Sequence, residues 1–63
     1  MIDIELYWNG GGYGVAYSCT SKLFTMEKYL IDKGYVIYKV CEGEFDIYIH
    51  FYDPAKAKRE EDE

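Results

Sequence analysis

The chain holds one proline, one histidine, one tryptophan and two cysteines in 63 residues. Each scarcity removes a class of protein. Cys19 and Cys41 do not form a CxxC pair, and two thiols alone make neither a disulfide framework nor a tetrahedral metal site. One histidine gives no multi-histidine centre. Bases are scarce too: seven against twelve acids, for a net charge of −5. The basic footprint of direct nucleic-acid binding is therefore missing, and an anionic membrane surface is disfavoured for the same reason. No apolar run approaches the roughly 18 residues of a membrane-spanning helix, and no signal peptide precedes the first strand. These absences predict a cytoplasmic protein with reduced thiols, in the host cytoplasm if the source is viral. A Cys19–Cys41 disulfide would require their strands to adjoin.

What is abundant is tyrosine. Eight of the twelve aromatic residues are tyrosines, and 49% of the chain is hydrophobic, too much for a disordered chain. A chain of this length buries only roughly 60% of its unfolded surface, so its core is small. Tyrosine suits it, since the ring fills space while the hydroxyl tolerates water.

Residues 2–8, IDIELYW, alternate apolar and polar, the period of a half-buried strand. NGGGYG follows, with Asn9 and Gly10 to Gly12 suited to a tight hairpin turn. It lacks the lysine and serine or threonine of a phosphate-binding loop. Residues 13–19 return as a second strand with Tyr13, Val15, Tyr17 and Cys19 on one face and Gly14, Ala16 and Ser18 on the other. The small face suits close approach by a helix, but the pattern leaves the strand's direction open.

Residues 20–33 carry Leu23, Met26 and Leu30 at helical spacing, with Phe24 and Ile31 widening the stripe. Thr20, Ser21 and Thr25 are rival caps, and Gly34 suits the left-handed position that ends a helix. Residues 35–41 read as a third strand and Glu42 to Glu44 as a turn. In 45–52, Phe45, Ile47, Ile49 and Phe51 alternate with Asp46, Tyr48, His50 and Tyr52. Asp53-Pro54 stops this strand. The expected architecture is α+β, in the order β-β-α-β-β. One helix packs on one face of a four-stranded antiparallel sheet, in a single domain over 1–53. A charged, unstructured tail is expected over 54–63.

A lone helix leaves the opposite sheet face open. With the apolar rows turned inward, that face collects Asp3, Glu5 and Tyr7 from the first strand. It also collects Asp46, Tyr48, His50 and Tyr52 from the last. Acids with tyrosines make a plausible protein-contact surface. The expected function is therefore a small acidic module that binds and inhibits or regulates a larger protein. Phage and mobile-element proteins that block host defence, of anti-CRISPR or anti-restriction type, share this profile of size and charge. Spaced carboxylates would there mimic a nucleic acid inside the basic groove of a nucleic-acid-binding protein. The alternatives are a homodimer whose function lies in its assembly, or a small metal-binding or catalytic domain. For the last, Asp46, His50 and Asp53 are the only cluster, and Asp46 and His50 stand about 13 Å apart along one strand. No enzyme activity and no cofactor are expected. Cys19 is read as a buried structural thiol.

Overall fold

The computed structural model describes residues 3–57. Strands β1 (Glu5–Gly10) and β2 (Tyr13–Ser18) lead into helix α1 (Leu23–Asp32). Strands β3 (Val36–Glu42) and β4 (Ile47–Tyr52) follow. All neighbours pair antiparallel, in the order β1-β2-β4-β3. The β-β-α-β-β architecture with one helix against one sheet is thus the observed one. The connection through α1 carries the chain past β4, so β2 and β4 are the central strands and β1 and β3 the edges.

The β1–β2 hairpin turns at Gly11 and Gly12, with φ of 64° and 87°. Two successive positive φ values are what a tight two-residue hairpin demands, and glycine supplies them without a steric penalty. An irregularity at Asn9 separates the Trp8–Gly14 and Gly10–Tyr13 pairs.

Helix α1 ends as its sequence predicts. Gly34 has φ 87°, its N–H donates to the Ile31 carbonyl at 2.9 Å, and the Tyr35 N–H donates to the Leu30 carbonyl at 3.1 Å. This pair of bonds satisfies carbonyls that the last helical turn leaves open. The start differs. Lys22 occupies the cap position in an extended conformation, and no side chain caps it. None of Thr20, Ser21 and Thr25 fills the role. Ser18 acts on the preceding loop instead, its Oγ accepting from the N–H groups of Thr20 (3.2 Å) and Ser21 (2.9 Å).

The core is Ala16, Met26, Leu30, Ile47, Ile49 and Phe51, flanked by Ile4, Leu6, Leu23, Tyr29, Tyr35 and Ile37. Burying each large member contributes about 1.5–3 kcal/mol against exposure. Helix α1 lies over β3 and β4. Beside it an aromatic group closes the core: Tyr35 stacks on Phe51 at 5.0 Å, and Trp8 meets both edge-on at 5.5 and 5.2 Å.

Three apolar positions depart from the sequence reading. Phe24 is 74% exposed, and Ile31 is exposed too. A helix over a small sheet buries only a narrow stripe, here Met26 and Leu30, and these two residues fall outside it. Phe45 is 80% exposed because β4 begins only at Ile47. Its alternation with Ile47 runs through turn residues that never join the ladder. Cys19, expected inside, is exposed; Cys19 and Cys41 are both free thiols.

The tail expected from residue 54 begins as a turn. The N–H groups of Lys56 and Ala57 donate to the Asp53 carbonyl at 2.9 and 2.8 Å, and Ala57 is buried. The Asp53 N–H donates to the Gly12 carbonyl at 2.8 Å, tying this turn to the first hairpin. The remaining expected tail residues, 58–63, lie outside the described ones.

Gly14 pairs with Trp8 and Phe51 on either side. A Cβ there would sit 2.9 Å from the Tyr7 carbonyl oxygen and 3.0 Å from Phe51 Cζ. The oxygen belongs to the neighbouring backbone and cannot swing away. Gly14→Ala should therefore destabilise the fold by about 1–3 kcal/mol. This outweighs the gain of about 0.4–1 kcal/mol from stiffening the unfolded chain. Urea denaturation measures the difference, and unchanged stability would contradict the packing described.

Candidate docking face

The side of the sheet away from α1 is built in cross-strand rows. Glu5, Tyr17, Tyr48 and Cys41 form the first, in the order of the strands. Tyr7, Val15, His50 and Lys39 form the second. Tyr13, Tyr52 and Val36 form the third, nearest the glycine turn. Each row holds because side chains of paired residues on antiparallel strands point the same way. A register shift in β3 between Ile37 and Lys39 leaves Tyr38 without a ladder partner. Its ring leans over the face to within 6.0 Å of Tyr13 and His50 and 6.1 Å of Tyr52.

Six tyrosines therefore share this face: Tyr7, Tyr13, Tyr17, Tyr38, Tyr48 and Tyr52. Tyr13 and Tyr52 lie 5.4 Å apart, and Tyr17 and Tyr48 4.8 Å apart at a 46° tilt. Tyr7 is 53% and Tyr48 42% exposed.

Of the residues singled out in sequence, Glu5, Tyr7, Tyr48, His50 and Tyr52 stand together here. Asp46 immediately precedes β4 at the first-row end, its carbonyl accepting from the Gly43 N–H at 2.8 Å. Asp3 lies just before β1 and is engaged elsewhere, accepting from Thr20 Oγ1 at 2.6 Å. Sequence reasoning left out Tyr13, Tyr17 and Tyr38. The first two had a signal: a strand with glycine, alanine and serine on one side must present its tyrosines to the other when a helix needs room. Tyr38 had none, because it reaches the face through the register shift.

Charge is uneven across the face. Glu5 marks the first row at the β1 edge and Asp46 lies at the same end; Lys39 stands in the second row at the β3 edge. Beyond the first row, Ser18–Ser21 and Glu42–Ile47 enclose a cleft of about 360 Å³ whose acids are Glu42, Glu44 and Asp46. Tyr7 donates its hydroxyl hydrogen to Glu5 Oε1. That bond holds the Tyr7 phenol above its usual pKa, with burial and the Glu5 charge acting in the same direction. Partial desolvation raises Tyr17, assisted by Cys19 and Asp46.

Asp53, linked with Asp46 and His50 in the metal reading, instead organises the last turn, its Oδ1 accepting from the Ala55 N–H at 3.0 Å. Among the described residues no group of three His, Cys, Asp or Glu side chains could hold a metal ion. Nor is any helix there long and apolar enough to cross a membrane. Comparison with known protein families, curated proteins and solved structures gives no match.

A raised phenol pKa stabilises the fold at pH values below the unfolded tyrosine value, and the contribution disappears as pH rises through the folded-state value. Near-ultraviolet titration should accordingly show a tyrosine that ionises later than the unperturbed residue. Tyr7→Phe should reduce that late component and leave the share that Tyr17 contributes. A titration curve that loses only an ordinary tyrosine would show that the Glu5 bond does not form in solution.

Proposed function

We propose that this protein is a non-enzymatic binding module that docks its tyrosine face onto a larger protein and so inhibits or regulates it. The observation that supports this reading is the placement of six of eight tyrosines on the one sheet face that no helix covers. Tyrosine favours strands and tolerates water singly, but here six rings form one continuous aromatic surface. Tyrosine supplies contact area at a low entropic cost and is concentrated where protein interfaces are energetically strongest. The rings support one another through contacts of 4.8–6.1 Å, so less order must be imposed on binding.

Edge pairing has less support as the route to assembly. Both edge strands carry irregularities, at Asn9 in β1 and at Tyr38 in β3, which interrupt the ladder a second strand would extend. Nucleic-acid mimicry has less support as well. Asp3 lies before β1 and is engaged by Thr20, which leaves Glu5 as the acid of β1. Glu42, Glu44 and Asp46 gather at one end rather than tracking along the face. An inhibitor of the phage or mobile-element kind is a class analogy that rests on the acidic charge of −5.

The test compares partners captured from host lysate by the wild type and by the Tyr17→Ala/Tyr48→Ala double variant. Phe24→Ala, on the outer helix surface, serves as control. Circular dichroism checks that each is folded. The double variant should lose at least about tenfold in affinity for the captured protein, as expected for central interface aromatics, while Phe24→Ala should retain it. Equal binding by all three would remove the face from the function.

A further inference from the structure

We infer that the partner presents an arginine side chain to the corner formed by Glu5, Tyr17, Tyr48 and Asp46, an assignment that rests on the docking role proposed above. Charge supplies the first argument. The two acids of the face stand at its first-row end, and Glu42 and Glu44 extend the negative region into the adjoining cleft. Lys39 stands one row away at the β3 edge, opposite the Glu5 edge. A cation approaching this corner therefore meets attraction without a competing base in the row.

Ring geometry supplies the second. Tyr17 and Tyr48 are 4.8 Å apart and tilted by 46°, and Tyr48 is exposed. The exposed Tyr48 ring is open to solvent, and an aromatic face attracts cations through its quadrupole. Aromatic sheets also stack the bases of single-stranded nucleic acids, but such sites need a basic groove for the phosphates. This corner has the opposite charge. The ligand class is thus cationic.

Between the two common cations, arginine matches the corner better. Its guanidinium plane stacks on a ring while its fork of N–H groups donates to a carboxylate. Lysine is a strongly hydrated point charge without the planar fork that stacks on a ring and pairs with a carboxylate at once. Tyr7 contributes as a positioning residue, since its hydroxyl holds Glu5 Oε1 in place beside the rings.

The experiment titrates the isotope-labelled full chain with short glycine-spaced peptides that differ only in carrying arginine, lysine or citrulline. Nuclear magnetic resonance follows backbone and tyrosine-ring signals. The arginine peptide should shift Glu5, Tyr17 and Tyr48 and bind at least about threefold more tightly than the lysine peptide. Citrulline, which lacks the charge, should produce no saturable shift. Glu5→Gln should weaken the arginine peptide about two- to fivefold, as expected for an exposed charge pair. Equal responses to the three peptides, or shifts that map away from the corner, would overturn the assignment. So would corner signals that move with protein concentration before any peptide is added, which would mean that a second copy covers the site. If the peptides fail while Tyr17→Ala/Tyr48→Ala still loses its captured partner, only the arginine assignment falls. If both fail, the docking role falls with it.

Discussion

The missing side chain at Gly14 is the constraint on which the rest of the molecule depends. Phe51, Trp8 and the Tyr7 carbonyl all converge on the space where a Cβ would stand. With Ala16 and Ser18 following in the same phase, β2 presents a flat surface to the interior, while Phe51 on one neighbour and Trp8 on the other fill the space above it. The core is small, but it is closed by rings from three parts of the chain: Trp8 from β1, Tyr35 from after the helix and Phe51 from β4. None of these contacts would survive a bulky residue in the middle of β2.

That same constraint fixes the outer surface. A strand whose inward positions hold almost no volume must carry its bulk on the other side, and β2 carries Tyr13, Val15 and Tyr17 there. Strand β4 adds Tyr48, His50 and Tyr52, so the two central strands build a continuous aromatic surface with Tyr7 and Tyr38 at its borders. Interior and exterior are thus two results of one size pattern. The surface left open is as closely specified as the core.

The regular parts of the fold were legible because their signals are local. The two-residue period of β4 and the glycine run of the first hairpin each state a backbone conformation within a few residues. Gly34 did so as well, because the left-handed position it fills follows directly from the last helical turn. What was not legible depended on tertiary arrangement. Three hydroxyl residues competed for the helix cap, and none won, because Lys22 enters in an extended conformation while Ser18 holds the loop before it. Phe45 read as core because a hydrophobicity pattern does not register where pairing begins. Phe24 and Ile31 read as core because the stripe that a short sheet covers is narrower than the stripe the helix offers. On the candidate face, the β1 and β4 residues followed from alternation alone. Tyr38 required knowledge of a slip in β3, which composition does not encode.

The turn after Asp53 gives the molecule a built-in polarity. Ala57 rests against Gly12, at the hairpin tip, whereas Asp3 and the acidic corner lie at the far end of the strands. Ala57 therefore sits at the tip and not at the end where Glu42, Glu44 and Asp46 gather. The strands thus hold Ala57 and the acidic end apart by their full length.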